Sequence, residues 1–300
     1  MPSGRAVTTE TVGVDRRGGA AVDPYRLVVT ILAYALPIVF ILVPLAMFLV
    51  QSFYHVEDGR IVRDLTLVNY ERFFTAAAFL PVFVRTCALA LGVAAITVAL
   101  AYPVAFLLAS LEGRRKYALT LVFVIPLLMS YIIKIYAIRS ILGGNGFLNR
   151  ILLYLGVIDQ PVTFLIFNLN AVLLTLSVIL LPFAILPIFV ALERIPRNIL
   201  DASADLGASS WRTFRSIIWP LGLQGTVIGA SFTFMLALGD FVTPRMVGGT
   251  SGFTFGRIIY SQFGFAFNWP FGAALSVVLL VVVMIAIVLA GRLSRPGHPS

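Results

Sequence analysis

Long apolar runs divided by short polar segments dominate this chain. Five runs contain no Asp, Glu, Lys or Arg: Leu27 to Tyr54, Thr86 to Leu111, Phe164 to Leu192, Leu221 to Gly239 and Phe271 to Gly291. A helix needs about 20 consecutive apolar residues to cross a hydrocarbon core. Tyr117 to Ile133 is shorter, but the long stem of Lys134 extends it toward the interface. Only helices satisfy their own backbone polar groups in lipid, and a β-barrel would show short alternating segments instead. The pattern therefore predicts an all-α polytopic membrane protein with about six transmembrane helices. The transmembrane core runs from 27 to 292, with polar tails at 1–26 and 293–300.

One polar stretch stands out between two of these runs. Glu193 to Pro220 reads ERIPRNILDASADLGASSWRTFRSIIWP. It adds nothing to membrane spanning, so its use is to be gripped from outside the membrane. Pro196 suits a helix start and Asn198 can serve as its cap. Ile199, Ala202, Ser203 and Leu206 then fall at i, i+3, i+4 and i+7, giving a small apolar face. Arg197, Asp201 and Asp205 recur every four residues on another face, where opposite charges can pair. Gly207 stands where a left-handed turn would end the helix. Ser209 or Ser210 can cap a second short helix, Trp211 to Trp219, closed by Pro220. So short a helix is marginal alone in water and needs a docking partner. An amphipathic loop resting on lipid headgroups is the other reading of this pattern.

Composition and charge agree with membrane spans. Of 300 residues 60% are hydrophobic, and the mean hydropathy is +0.99, too apolar for a soluble domain. The net charge of +9 is scattered between spans with no basic patch interleaved with aromatics, so a nucleic-acid partner is not indicated. With both termini in the cytoplasm, 13 of 22 Lys and Arg residues lie inside, Arg114, Arg115 and Lys116 of the very short loop Glu112 to Lys116 among them. The first 26 residues are polar and read as a cytoplasmic tail without fixed structure. The run after them is longer than the roughly 7–15 residue core of a cleavable signal. Cys87 is the single cysteine and reads as a small buried hydrophobe.

The segment around Gly207 resembles the cytoplasmic loop of binding-protein-dependent ABC importer permeases. Its signature is roughly E-A-A, three residues, G, and an apolar pattern ending in P. Here stand Asp201-Ala202-Ser203, Gly207, Phe214, Ile217, Ile218 and Pro220, with Asp for Glu and Ser for the second Ala. Ile125 to Asn149, Leu181 to Pro196, Gly239 to Gly249 and Asn268 to Ala274 look like the spermidine/putrescine branch. Members often carry Arg and Trp where this chain has Lys134 and Ile138. The resemblance covers roughly 27–292 and implies the type I ABC importer permease fold. It implies a coupling helix at about Asn198 to Ala208, with Asp201, Ala202, Ser203, Asp205, Leu206, Gly207 and Ala208 contacting an ATP-hydrolysing subunit. It also implies a second, homologous or identical permease, two ABC ATPases and an extracytoplasmic binding protein, in a bacterial inner membrane. ATP and Mg would sit on the partner ATPase, leaving this chain without a cofactor. Polyamines or related small solutes are the implied cargo.

No catalytic constellation is visible. His55 and His298 are the only histidines, too far apart for a helical metal motif, and no GxxxxGK phosphate loop is present. Asp240 is the acid directly abutting a span on the outer side, which makes it a substrate-path candidate. A helix-end acid paired with Arg245 or solvated is its plainer reading. Lys134 and Arg139 read as interfacial anchors. Asn168, Asn170, Gln224, Thr226, Ser231 and Thr233 would line a polar path or bond to neighbouring helices. The alternatives are a stand-alone secondary transporter or channel, which the single docking loop opposes, and a membrane-embedded enzyme, which lacks the residues.

Overall fold

The computed structural model describes residues 24–162 and 164–294. The expected tails therefore fall mostly outside the described residues, though Pro24 to Arg26 already belong to a helix. The described residues divide into two compact units, one up to Phe48 and one from Leu49. The first holds α1 (Pro24–Gln51) up to Phe48, with Pro37 and Pro44 inside it. Each described side chain from Tyr25 to Val50 is exposed.

The second unit opens with a two-stranded antiparallel hairpin, β1 (His55–Glu57) and β2 (Arg60–Val62), in which His55 faces Val62. Asp58 and Gly59 make its turn at φ 47° and 76°, an arrangement Gly and Asp tolerate. Then follow α2 (Val68–Thr75), α3 (Phe79–Ser110), α4 (Gly113–Leu128), α5 (Tyr131–Leu142), α6 (Phe147–Tyr154), α7 (Leu169–Ile179) and α8 (Leu181–Glu193). After these come α9 (Arg197–Asp205), α10 (Ser210–Thr213), a π-helical turn at Phe214–Ile218 and α11 (Trp219–Gly239). α12 (Val242–Val247), α13 (Phe255–Gly264) and α14 (Trp269–Leu293) complete the chain.

Among the described residues four helices are long and apolar enough to cross a membrane, and six if each bent pair counts as one span. A proline lies at or near each bend. The run Phe164 to Leu192 is not one straight helix: α7 and α8 meet at 43°, with Pro182 in the first turn of α8. Proline lacks the N–H that would continue the ladder. The expected span Tyr117 to Ile133 also breaks, because α4 stops at Leu128 just after Pro126. Extended backbone at Met129 and Ser130 then turns the chain by 102°.

The centre of the unit is the mutual packing of α3, α8 and α11. Glycine on α11 sets how close α8 comes. A Cβ on Gly225 would meet the Ala191 Cβ at 2.5 Å and the Ile188 Cα at 3.1 Å, and one on Gly229 would meet the Ala184 Cα at 3.1 Å. Small residues permit such backbone approach where lipid supplies no hydrophobic drive for association. Ala101, Ala105, Leu108, Ile185, Ile188 and Ile218 fill this region. A second cluster joins α3, α5, α7, the end of α11 and α12 through Val93, Ile135, Leu176 and Leu238. An aromatic group, Phe73, Phe255 and Phe271, anchors α2, α13 and α14.

Candidate functional site

The insert folds into a compact bracket at the head of a membrane helix. Pro196, with φ −65° and ψ 133°, occupies the cap position of α9 and offers no side-chain acceptor. The cap expected at Asn198 is therefore absent: the helix starts at Arg197, two residues before a cap at Asn198 would place it. At the other end Gly207 takes φ 73°. Its N–H donates to the Ala204 carbonyl at 2.9 Å and that of Ala208 to the Ser203 carbonyl at 3.1 Å. This is the Schellman closure, and glycine enters it without the left-handed penalty. α9 ends at Asp205, shorter than the expected helix to Ala208.

Ser209 caps the next helix, its Oγ accepting from the Arg212 N–H at 3.3 Å. The helix does not stop at Pro220. Ser210–Gly239 runs as one 30-residue helix. The π turn makes that possible: the Trp219 N–H reaches the Phe214 carbonyl, and Pro220, which has no N–H to offer, follows in the first turn of α11. One inserted residue in the register accommodates the proline without ending the helix.

The residues expected to contact a partner divide into two sets. Ser203 is buried and turns inward, its Oγ 2.8 Å from the Thr213 Oγ1. Asp201, Ala202, Asp205, Leu206 and Gly207 are exposed, and Ala208 is half-buried. Leu206 is 88% exposed. Arg197 does not pair with Asp201 as the spacing suggested; it pairs with Glu112, and Lys116 pairs with Glu193. Glu112, at the cap position of α4, takes the place of the intrahelical partner. These two pairs escaped the sequence reading. Their only sequence signal is that each of two short loops carries both an acid and a base.

Two clefts flank the bracket. One, of about 550 Å³, lies between α8 and α11 and is edged by Arg194, Ile199 and Gln224. The other, of about 340 Å³, is lined by Lys116, Glu193, Arg197, Leu200, Asp201 and Ile218.

Asp240 sits at the opposite end of α11, just beyond its last residue. Its carboxylate accepts from the Val242 N–H at 3.1 Å and the Thr243 N–H at 3.2 Å, so it caps α12. Burial pushes its carboxyl above the usual range, and these hydrogen bonds pull the other way. Arg245 is not its partner; the guanidinium donates to the Tyr260 hydroxyl at 3.1 Å and lies over that ring. Asp240 lines a cleft of about 410 Å³ with Tyr131, Lys134 and Phe183. The Tyr131 hydroxyl lies 3.0 Å from Thr243 Oγ1, joining α5 to α12.

Other polar positions bond locally. Asn168 caps α7 through the Ala171 N–H at 2.9 Å. Thr226, Ser231 and Thr233 each donate to a carbonyl of their own helix four residues back. Lys134 lies 5.6 Å from the Tyr131 ring centroid and Arg139 5.5 Å from that of Phe167.

No protein-family model matches the chain. Among solved structures, a bacterial ABC transporter that imports the acidic polysaccharide alginate aligns with TM-score 0.68 at 15% identity, over 90% of this chain and 96% of that one. The MetNI methionine ABC transporter aligns with TM-score 0.56 at 20% identity, over 74% and 98%. The fold is thus that of the membrane subunit of a type I ABC importer. The spermidine/putrescine transport system permease protein PotB of Escherichia coli strain K12 is 33% identical over 270 residues, covering 90% of this chain and 97% of its own length. Its counterpart in Salmonella typhimurium strain SL1344 is 34% identical over 89% and 92%. The inner membrane ABC transporter permease protein YdcU of Escherichia coli strain K12 is 34% identical over 81% of each chain. The chain belongs to this family of ABC importer permeases and is a multi-pass membrane protein.

Proposed function

We propose that this permease subunit imports a polyamine, spermidine or putrescine, or a related small cation, and that α9 couples it to ATP hydrolysis. The supporting observation is the form of α9: a helix closed at Gly207, braced from behind by Ser203, with Leu206 and both aspartates presented outward. A braced helix with an uncovered apolar tip suits a groove on another protein, where burying Leu206 is favourable. Asp201, Ala202, Ser203, Asp205, Leu206, Gly207 and Ala208 form the coupling segment in this reading, Ser203 from the inner face. ATP and Mg are held by two partner ATPases, and this chain supplies no catalytic group. A second permease completes the path, and an extracytoplasmic binding protein delivers the cargo. Both termini face the cytoplasm of a cell whose inner membrane holds the complex.

Alternating access then arises as closure of the ATPases moves α9 and, through Ser203 and Thr213, the head of the long helix that leads to Asp240. Rocking of helices about a central path is the general form of such cycles. Asp240 is the proposed cation contact on that path, in a cleft with an aromatic wall. The names of the relatives support the polyamine assignment. Uptake of radiolabelled spermidine and putrescine into cells depleted of ATP, with the proton gradient maintained, tests it. Uptake that stops on depletion agrees; uptake that continues points to a secondary transporter instead.

A further inference from the structure

Besides the Ser203–Thr213 contact, one ion pair ties the start of α9 to the loop before α4, and a second ties the end of α8, just upstream of α9, to α4 itself. Glu193, the last residue of α8, pairs with Lys116 in the first turns of α4. Arg197, the first residue of α9, pairs with Glu112 at the cap position of α4. The two pairs run with opposite polarity. A slip that exchanged partners would set Glu112 against Glu193 and Lys116 against Arg197, so the register of the two loops is specified by charge.

Lys116 is held more firmly than a surface cation. Its side chain is 17% exposed and its Nζ lies 5.4 Å from the Phe189 ring centroid. Its partner Glu193 is more open, at 44% exposed, so it is the lysine end of the pair that is enclosed. The cation does not serve α4 itself, since Arg114, Arg115 and Lys116 crowd the positive end of that helix against its dipole. From there α4 runs to Leu128, and after the bend Tyr131 meets Thr243, whose N–H bonds to Asp240. The Arg197–Glu112 pair, α4, the bend at Met129 and Ser130 and the Tyr131–Thr243–Asp240 contacts thus lie in series between the start of α9 and the Asp240 cleft. This series is separate from the route through α11.

We propose that Glu112 and Lys116, clasped to Arg197 and Glu193, are positioning residues that transmit displacement of α9 into α4 and on to the Tyr131–Thr243–Asp240 contact. The proposal rests on the reading of α9 as the docking helix. It identifies the short loop before α4 as a second output of that helix.

Charge reversal in the complete transporter, reconstituted in liposomes with binding protein and spermidine, tests it. Co-purified ATPase, ATP hydrolysis and spermidine moved per ATP are read separately. Lys116→Glu and Glu193→Lys each keep the ATPase bound and hydrolysing, while solute moved per ATP falls about tenfold, within the usual range of coupling between sites. The double exchange Lys116→Glu with Glu193→Lys recovers most of the loss. Glu112→Arg with Arg197→Glu offers the same comparison at side chains 69% and 63% exposed, where packing is not at stake. Single reversals that move as much solute per ATP as the wild type would overturn the proposal, as would double exchanges no better than the singles. A wild-type complex that purifies without any ATPase would overturn the docking reading itself, and that failure shows before any variant is made.

Discussion

The Ser203 Oγ lies 2.8 Å from the Thr213 Oγ1, so α9 is latched to the first turn of the 30-residue helix that follows it. The contact explains a departure from the family signature. Where the pattern has a second alanine, this chain has a serine whose hydroxyl finds Thr213 across the glycine turn. Replacing Ser203 with Ala leaves Thr213 without that partner and costs about 1 kcal/mol, the usual net worth of a side-chain hydrogen bond. Thermal unfolding of the detergent-solubilised complex should show a drop of a few degrees. Ser203→Ala combined with Thr213→Val should recover part of it, because both polar groups are then gone.

Gly207 at φ 73° has open space around the position of a Cβ. A substitution there meets backbone strain and no clash. Gly207→Val should cost about 1–2 kcal/mol through the left-handed conformation and uncouple or disassemble the complex while the spans still insert. Gly207→Asn should stay close to wild type, since asparagine tolerates that conformation. Uptake and ATPase co-purification of the two variants measure the difference. Equal behaviour of valine and asparagine would remove the turn from the account.

Gly225 differs, because steric room decides there. Its Cβ would press on Ala191 and the backbone of Ile188. Gly225→Val should force α8 and α11 apart and cost about 1–3 kcal/mol or more, as overpacking does. Yield and monodispersity in detergent should fall. Gly291→Ala, with nothing near its Cβ, should leave both unchanged.

Asp240 allows charge to be separated from capping. Asp240→Asn keeps an acceptor for the Val242 and Thr243 N–H groups, so α12 should still form. Loss of uptake with intact assembly would then report the carboxylate charge on the cation path, and unchanged uptake would reduce Asp240 to a cap. The pH dependence has a defined sign. Burial raises this carboxyl, so the folded state binds the proton more tightly than the unfolded state. Its contribution to stability is complete below the unfolded value and is lost as pH rises through the folded one. Asp240→Asn should flatten that part of the stability profile.

Much of the fold was legible in the chain because lipid imposes a simple rule on backbone polar groups. The five charge-free runs coincide with helical stretches, and the glycine turn at Gly207 is where the composition placed it. Charge-free length was a poor guide to helix ends, however. α3 begins at Phe79 and takes in Arg85, whose guanidinium reaches the carbonyls of Ser251 and Phe253 at 3.0 and 2.7 Å. Proline had opposite outcomes that local sequence does not separate. Pro182 begins a bent second half-span, whereas Pro220 passes through a π turn into a continuous helix. The short helix closed by Gly207 was readable in the sequence, but its bracing was not. The pairs Arg197–Glu112 and Lys116–Glu193 join residues 85 and 77 positions apart, and a one-dimensional spacing argument finds only the i, i+4 partner.

The most direct test of the coupling account places a photo-crosslinking residue at Leu206 and purifies the complex from its native membrane in mild detergent. The account predicts an adduct between α9 and a subunit carrying a GxxxxGK phosphate loop, weakened in Gly207→Val. A chain that crosslinks to lipid alone, equally in wild type and Gly207→Val, would contradict it and make α9 a helix resting on the membrane surface.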